Sequence, residues 1–451
     1  MNQGRVNGPR DVAGSSPSRQ RAGWRDWVDP RRVGWVRSLL VFVPITVVAS
    51  FAGVPASVEF FLAALAIVPL AGLIGEATEA AACRVGPGLG GLLNATFGNA
   101  AELIIAIFAL AQGLDPIVKA SLTGSVIGNL LLVLGGSFLA GGIKYPVQKF
   151  NRVAAGSGAT LMVLAAVGLV IPALFHGIVG VDQPGAEHRL SLSVSVILIV
   201  AYGLNLLFSL KTHKNLYNPK DVDMDAAHHG RALWGQRKSL VVLLISTAFV
   251  AWMSEILVGA VDDASQALGL TEIFVGVIVV AIIGNAAEHS TAVLMAWKNR
   301  SDLAVGIAMG SALQIALFVA PVLVFVSYLR AEPMDLLFSP LEVVAVILAV
   351  LLARMVAEDG ESNWLEGAML LMIYAILGVA FFFLPGPKEG RHEPNTRPAV
   401  SRSTGSTAAR QVLFRFGQVQ HPSATLAKTH VVAVDQLGDG LGRHRDEAAG
   451  A

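Results

Sequence analysis

The chain has one cysteine, few charged residues and no motif that cradles a nucleotide phosphate. Cys83 alone excludes an internal disulfide and any zinc or iron–sulfur site built from several thiolates. Charged residues make up 14% of the 451 residues, roughly half the share usual in soluble globular proteins. The 33 basic and 32 acidic side chains nearly cancel, so no basic face indicates nucleic-acid binding. These features exclude an ordinary soluble enzyme and a DNA-binding protein.

Long apolar runs take up most of the sequence, in which 54% of the residues are hydrophobic. A helix of about 20 mostly apolar residues crosses a bilayer, and such runs follow one another along this chain. The sequence therefore predicts an all-α membrane protein with eleven transmembrane helices. The expected spans are residues 38–56, 58–80, 86–110, 117–141, 153–178, 190–210, 239–261, 272–297, 303–328, 335–356 and 364–385.

The charges in the loops predict the orientation of these spans. Basic side chains collect in every second loop, and the loops between them are more acidic. By the positive-inside rule, the basic loops and the N-terminus lie in the cytoplasm. The basic residues concerned are Lys144, Lys149 and Arg152 after span four, Lys211, Lys214, Arg237 and Lys238 before span seven, and Lys298 and Arg300 after span eight.

Three segments are too polar to cross the membrane. Residues 1–37 are rich in arginine and have no apolar stretch, so we expect a cytoplasmic N-terminal tail and a first span that is not cleaved. Residues 211–238 are expected to form a solvated cytoplasmic linker, with a weak regulatory cation site as the alternative. Residues 386–451 are rich in Pro, Arg, Ser, Thr and Gly, which predicts a mostly disordered tail.

A five-residue motif occurs twice. Gly98-Asn99-Ala100-Ala101-Glu102 returns as Gly284-Asn285-Ala286-Ala287-Glu288, at an offset of 186 residues. Self-similarity that keeps one offset beyond the motif itself indicates an internal structural repeat. The same offset pairs Gly90 with Gly276, Ala95 with Ala281, and Gly124-Ser125 with Gly310-Ser311.

The two copies are expected to cross the membrane in opposite directions. They fall in spans three and eight, which are five spans apart. Because five is an odd number, the second copy crosses the membrane in the direction opposite to the first. Inverted repeats of this kind build many secondary transporters, which bind their substrate near the bilayer midplane. We therefore expect an accessory first helix at 38–56 and two inverted five-helix repeats at 57–210 and 239–385.

Glu102 and Glu288 lie near the middle of their spans. An acidic side chain at that depth costs roughly 2.5 to 3.5 kcal/mol, so its presence needs a reason. A protonated glutamate that hydrogen-bonds a neighbouring helix is the structural alternative. Two glutamates at equivalent positions of a repeat favour a binding site instead.

The residues around these glutamates predict an oxygen-lined cation site. Asn99 and Asn285 precede the glutamates by three residues, so an amide and a carboxylate share one helix face. Gly98 and Gly284 permit a close backbone approach or a helix break that frees carbonyl oxygens. Hard divalent cations such as Ca²⁺ take about six to eight oxygen ligands. The spans hold no His-rich or Cys-rich cluster that would favour zinc or copper.

The next span of each half carries further polar side chains. Ser125 and Asn129 are four residues apart in span four, and Ser311 and Gln314 are three apart in span nine, so each pair shares a helix face. Hydrogen bonding between helices by small polar residues is the alternative interpretation. Their place one span after each glutamate favours cation ligation.

Three other residues are candidates for proton or cation movement. His289 follows Glu288 where the first copy has Leu103, so it either shuttles protons and tunes Glu288 or is a packed, hydrogen-bonded histidine. Glu79 in span two and Glu255 in span seven are candidates to guide cations to and from the site on opposite sides. Their alternative role is that of interfacial carboxylates that reach water.

These segments resemble the cation/proton exchanger branch of the calcium/cation antiporter superfamily. The resemblance rests on residues 90–103, with the sequence GGLLNATFGNAAEL, and on 284–289, with GNAAEH, and it covers roughly 38–385. It implies export of cytosolic Ca²⁺ in exchange for H⁺, with the two motif glutamates binding both. It also implies that the serines and amides of the following helices line the site, while acidic residues on spans two and seven guide cations. Those roles fall on Glu102, Glu288, Asn99, Asn285, Ser125, Asn129, Ser311, Gln314, Glu79 and Glu255.

The chemistry of paired buried carboxylates agrees with this resemblance. Two carboxylates in a dry site repel each other, so at least one should hold a proton when no cation is bound. A bound Ca²⁺ lets both ionise and ligate it. Cation and protons therefore compete for the same oxygens. An alternating-access protein with such a site is an antiporter, and we expect it to need no cofactor.

Other functions stay open as alternatives. A sodium/calcium exchanger differs only in the coupling ion, and a cation channel is disfavoured because channels usually surround a pore with several subunits. An intramembrane enzyme is disfavoured because the chain has no His-Glu-x-x-His segment and no aspartate in the interior of a span. The absence of a Gly-x-x-x-x-Gly-Lys-Ser/Thr loop argues against an ATP-driven pump. The short loops favour a prokaryotic plasma membrane, and a eukaryotic relative of this family would lie in the vacuolar membrane.

Overall fold

The structure is a computed structural model that describes residues 35–85, 90, 92–93, 96–179, 184–213 and 234–385. Every element named below belongs to one compact unit, which does not include Leu329–Ala331. The predicted tail at 386–451, nearly all of the tail at 1–37 and most of the linker at 211–238 lie outside the described residues.

Helices make up almost all of the described chain. A single pair of two-residue strands, antiparallel to each other, accompanies them in this part of the chain: β1 (Gln148–Lys149) and β2 (Glu361–Ser362). The helices are α1 (Val36–Ala52), α2 (Ala56–Val85), α3 (Ala100–Ala111), α4 (Asp115–Lys144), α5 (Arg152–Ile178), α6 (Gly185–Thr212), α7 (Gln236–Leu268), α8 (Glu272–Trp297), α9 (Ser301–Ser327), α10 (Pro340–Val356) and α11 (Trp364–Phe382).

Eight helices in the described chain are long and apolar enough to cross a membrane, namely α2, α4 to α9 and α11. The all-helical membrane architecture expected from the sequence is therefore confirmed. At the other three predicted spans the regular helices α1, α3 and α10 are shorter. The count of eleven spans accordingly stays a prediction.

Two helices begin later than the sequence predicted. The span expected at 86–110 is interrupted, because the chain turns at Gly98 and α3 starts at Ala100 with Asn99 as its N-cap. The described residues before this turn, 90, 92–93 and 96–97, are helical. The span expected at 335–356 starts at Pro340 instead. Ser339 and Glu342 fix that start through a capping box, in which each side chain accepts a hydrogen bond from the other residue's amide.

The helices bury small and aliphatic side chains against one another. α2 packs along α7, and α7 also contacts α3 while α2 contacts α8. An ion pair between Arg37 and Glu76 fastens α1 to α2. The second part of α4 packs against α11, and its middle crosses the first turns of α8.

Backbone irregularities recur at the offset of the sequence motif. A π-helical stretch occupies Gly128–Val133 in α4, and another occupies Ile315–Val319 in α9. The turn before α4 has a left-handed residue at Gly113 (φ 80°), and the turn before α9 has one at Asn299 (φ 59°), which is 186 positions later. Because π-helical turns are rare and often mark functional sites, their recurrence extends the internal similarity from sequence to backbone.

The segment that follows α4 is fastened to the second half of the chain. β1 pairs with β2, which precedes α11. Glu361 accepts a hydrogen bond from Lys149 at 2.9 Å, which raises the pKa of that exposed amine. The buried Gln148 donates through Nε2 to the carbonyl oxygen of Ala296 (2.8 Å) and to Oδ1 of Asn299 (3.1 Å). The end of α4 therefore lies beside the start of α9.

The segment that follows α9 is fastened to the first half in the corresponding way. The Leu336 amide donates to Oγ of Ser191 in α6 at 3.0 Å, and the carbonyl oxygen of Pro333 lies 2.9 Å from Nε2 of His188. Asp335 forms an ion pair with Lys119 near the start of α4. The end of α9 thus lies beside the start of α4, so these two helices run in opposite directions.

Candidate cation site

The two motif copies meet in the interior of the bundle. Glu102 is in the first turn of α3, and Gly284 is in α8. A Cβ atom at Gly284 would lie 2.8 Å from Cγ of Glu102, so the glutamate of the first copy rests directly on the glycine of the second. Glu288 lies one helical turn after Gly284 on α8. That the two glutamates form one site stays a prediction.

Amide and hydroxyl side chains from both copies form a hydrogen-bonded cluster beside the glutamates, which we name the amide network. Asn129 donates through Nδ2 to Oδ1 of Asn285 and to Oγ of Ser311, each at 3.1 Å. Asn285 donates to Oγ of Ser125 at 3.0 Å. The network consists of Asn99, Ser125, Asn129, Asn285, Ser311 and Gln314.

Further bonds of the amide network join α9 to α3 and to α8. Asn99 donates to Oε1 of Gln314 and accepts from the Ser311 hydroxyl at 3.1 Å. The same hydroxyl lies 3.3 Å from Oδ1 of Asn285. The structure therefore brings together every side chain that the sequence predicted as a cation ligand, although their role as ligands stays a prediction.

Four buried oxygens of the two glutamates and the amide network have no hydrogen-bond partner among the described residues. They are both carboxyl oxygens of Glu102, Oε2 of Glu288 and Oδ1 of Asn129. Buried polar atoms are nearly always paired, because an unpaired one carries a desolvation penalty of about 1 to 3 kcal/mol. These oxygens are free to accept protons or to coordinate a cation.

The chemistry of the cluster suits a hard cation. Its donors are two carboxylates, amide oxygens and hydroxyls, which are the ligands that Ca²⁺ prefers. In the part of the chain that the structure describes, no group of three or more His, Cys, Asp or Glu side chains is placed to hold a metal ion. A cation at this cluster would therefore take most of its ligands from neutral oxygens.

The other predicted residues lie around the cluster. His289 is half-buried beside Glu288 on α8, and both of its expected roles stay predictions. Glu79 is exposed near the end of α2, next to the buried Thr78. Glu255 is half-buried in the middle of α7, next to the buried Ser254. The structure places both glutamates on the helix pair that flanks the cluster.

Sequence reasoning missed Ser121. Its side chain lines a cavity together with Glu102 and Ser125, one helical turn before Ser125 on α4. The signal was present, because Ser121, Ser125 and Asn129 follow one another at intervals of four residues. It was overlooked because position 307, the equivalent in the second copy, is an isoleucine.

Comparison with known proteins identifies the family. The model of the family described as sodium/calcium exchanger protein matches residues 56–211 and 238–383. The Ca(2+)/H(+) antiporter of Aphanothece halophytica is 47% identical over 358 residues, which cover 77% of this chain and 96% of that protein. The vacuolar calcium ion transporter of Schizosaccharomyces pombe is 40% identical over 351 residues, which cover 77% of this chain and 84% of that protein.

A solved structure supports the same assignment. The structure of native YfkE superposes with a TM-score of 0.67 at 44% sequence identity, covering 77% of this chain and 100% of that one. The fold is that of a multi-pass membrane transporter. The family model and the relatives show that the chain belongs to the calcium/proton exchanger family.

Proposed function

We propose that this protein exports cytosolic Ca²⁺ in exchange for H⁺ by alternating access, at a midplane site formed by Glu102 and Glu288. The observation that carries the proposal is the contact of Glu102 with Gly284, beside three buried carboxyl oxygens that lack hydrogen-bond partners within the described chain. The relatives named as Ca²⁺/H⁺ antiporters support the choice of ions.

Competition at one set of oxygens couples the two ions. Without a cation, Glu102 and Glu288 act on each other across a buried space, and a proton on one of them removes the repulsion. When Ca²⁺ arrives, its charge allows both carboxylates to ionise, and the protons leave. Because the site holds either Ca²⁺ or protons, a cycle that opens it to each side in turn exchanges one for the other.

The amide network completes the coordination shell. Asn99, Asn285 and Gln314 supply amide oxygens, while Ser125 and Ser311 supply hydroxyls. The unpaired Oδ1 of Asn129 is a further ligand. Because each side chain is already oriented by hydrogen bonds across the two halves, the site requires little rearrangement to accept a cation.

Residues around the site assist the exchange. His289, which follows Glu288 on α8, accepts and releases protons beside that carboxyl group. Glu79 and Glu255 guide cations to and from the site on opposite sides of the membrane.

An inverted repeat underlies this mechanism. The shared offset of the motifs, the matching π-helical stretches and the antiparallel course of α4 and α9 all support it. The two matched ranges of the family model, 56–211 and 238–383, lie close to the repeats expected at 57–210 and 239–385. The proposal includes eleven spans, an accessory α1 and a cytoplasmic N-terminus.

The surrounding membrane follows from the same features. The short loops and the relative from Aphanothece halophytica support a prokaryotic plasma membrane. The lipid bilayer and the two transported ions are the partners that the mechanism requires.

Calcium uptake by reconstituted vesicles tests the proposal. Vesicles with an acidic interior should accumulate Ca²⁺, and collapsing the proton gradient should stop the uptake. In Glu102→Gln and Glu288→Gln, the loss of one charged ligand removes about 1.5 to 3 kcal/mol of binding, roughly a ten- to hundred-fold loss of affinity. Uptake should fall accordingly in both variants.

Glu361→Gln is the matched control, because it removes a carboxylate that is exposed on β2 and paired with Lys149. Its uptake should equal that of the parent. Uptake that needs a sodium gradient rather than a proton gradient, or that persists undiminished in both site variants, would contradict the proposal.

A further inference from the structure

Two adjoining cavities lie on one side of Glu102. The first, which we name the Glu102 cavity, is lined by Glu102, Ser121 and Ser125 together with apolar side chains. The second, which we name the distal cavity, extends to Leu114 in the turn between α3 and α4 and to Leu257 and Val261 on α7. The cavities thus form a series from the glutamate to one end of the bundle.

Ser121 lies in the wall that the two cavities share. The other residues common to both linings are Ile105, Ala106 and Val280. The hydroxyl of Ser121 is therefore the only polar side-chain group in that wall, and it is also the only one in the described lining of the distal cavity. A cation that moved between the cavities would find one protein oxygen in that wall.

On α4, Ser121 lies one helical turn before Ser125, the first of the predicted cation ligands on that helix. Ser121, Ser125 and Asn129 are spaced four residues apart, so they share a face and follow one another at about 6 Å along the axis. The Ser121 hydroxyl donates its hydrogen to the carbonyl oxygen of Val118 at 2.8 Å. Its own lone pairs therefore remain available to a cation.

We propose that Ser121 is a further cation-binding position, which takes Ca²⁺ over from Glu102 on the way to the distal cavity and passes it back in the reverse direction. The inference rests on the proposed function. Ca²⁺ requires about six to eight oxygen ligands at every point along its path. An apolar passage is therefore an energy barrier to its movement, and a single hydroxyl group in the wall lowers that barrier.

The position acts on one side of the membrane only. The equivalent residue in the second copy is Ile307, which has no oxygen to offer. In the proposed orientation, Leu114 and the distal cavity face the outside. Ser121 therefore assists exchange with the external solution, whereas access from the cytosol does not depend on it.

Flux measured separately from each face tests the inference. Right-side-out and inside-out vesicles, both with an acidic interior, are supplied with Ca²⁺, and the KM for Ca²⁺ is determined for the parent and for Ser121→Ala. Loss of one neutral oxygen should raise the KM from the external face about threefold to tenfold. The KM from the cytosolic face should be unchanged. KM does not depend on the amount of active protein, so a poorly folded fraction cannot imitate this result.

Two further variants serve as controls. Ser121→Thr keeps the hydroxyl and should retain the parent's KM on both faces. Ser193→Ala removes an exposed hydroxyl of α6 that bonds the carbonyl oxygen of Arg189, and it should change neither KM. An unchanged KM in Ser121→Ala, or an equal rise on both faces, would overturn the inference while leaving the proposed function intact. A parent protein that fails to transport Ca²⁺ in either vesicle type would overturn both.

Discussion

At the scale of single residues, the position of the Glu102 carboxyl depends on the absence of a side chain at Gly284. The site therefore has a shape requirement in addition to its ligands. Because Glu102 is held against the backbone of α8, the two motif copies set the geometry of the carboxyl pair together. A substitution in either motif copy should therefore alter cation binding at the whole site, to which both copies contribute.

Gly284→Ala should weaken Ca²⁺ binding without unfolding the protein. The new Cβ would lie 2.8 Å from Cγ of Glu102, but that side chain can rotate, so the carboxyl group moves rather than the helices. A displaced charged ligand costs about 1.5 kcal/mol or more, which corresponds to at least a roughly tenfold rise in the KM for Ca²⁺. The measurement combines vesicle flux with the thermal unfolding of detergent-purified protein.

Gly72→Ala is the control for this substitution. A Cβ atom at Gly72 would lie 3.9 Å from that of Ala287, which is an ordinary van der Waals contact with the same motif helix. Its KM should equal the parent's. A parent-like KM in Gly284→Ala would mean that the carboxyl position is not set by this contact.

The repeat makes these residues recognisable in the sequence. An isolated intramembrane glutamate has several explanations, but the shared frame around Glu102 and Glu288 distinguishes these two from the other acidic residues. The sequence could not show that Asn129 bonds Asn285 and Ser311, because helical periodicity gives the face of a residue and not its neighbours on other helices. Ser121 was missed for a related reason, since repeat symmetry hides a residue that occurs in one copy only.

At the scale of elements, close crossings of helices determine how the two halves fit together. α4 passes α8 with backbone nearly against backbone, and Gly124 lies at this crossing. The sequence marks Gly124 and Gly310 as equivalent, yet their surroundings differ. The repeat therefore preserves a glycine at both positions, although close packing requires it at only one.

Gly124→Ala should destabilise the protein, and Gly310→Ala should not. A Cβ at Gly124 would lie 2.1 Å from the carbonyl oxygen of Val277, and a backbone atom cannot rotate away. Overpacking of this kind costs about 1 to 3 kcal/mol. Among the described residues, no atom lies within 4 Å of a Cβ added at Gly310, so its substitution adds no clash there.

Thermal unfolding of the two purified variants is the measurement. A lower midpoint in Gly124→Ala alone is the expected result. Equal midpoints, or a larger loss in Gly310→Ala, would show that the crossing of α4 and α8 is not as close as the structure has it.

Element boundaries illustrate a second limit of sequence reasoning. The apolar run at 86–110 reads as one span, but the turn at Gly98 and the N-cap at Asn99 interrupt it. The run before Pro340 is apolar as well, yet residues 333–339 are non-helical. Amides in this segment donate to the side chains of Ser327, Ser191 and Glu342 instead. The hydropathy pattern indicates that both segments are buried. Whether their backbone is helical depends on their hydrogen bonds.

At the scale of the whole molecule, the proposed mechanism depends on the two halves having opposite orientations. The segment after α4 bonds the second half at one end of the bundle, and the segment after α9 bonds the first half at the other end. A pseudo-twofold axis in the membrane plane produces such an exchange of contacts. Equivalent residues of the two copies should then face opposite solutions.

Thiol labelling at Gln112 and Lys298 tests this expectation. The two positions are 186 residues apart, both are exposed, and both follow a motif helix as its C-cap with a similar backbone (φ −86° and −90°). Cys83 is the chain's only cysteine, so a Cys83→Ser background leaves each introduced thiol as the sole target. A membrane-impermeant maleimide should label Gln112→Cys in right-side-out vesicles and Lys298→Cys in inside-out vesicles.

The reciprocal arrangement of the two labels is the decisive result, because each position serves as the control for the other. If both thiols reacted from the same face, α3 and α8 would run in the same direction. Glu102 and Glu288 would then no longer be related by an axis at the midplane, and a single site could not be presented to the two sides in turn. Labelling from opposite faces, with Gln112→Cys on the outside, would support both the inverted repeat and the cytoplasmic N-terminus on which the direction of calcium export depends.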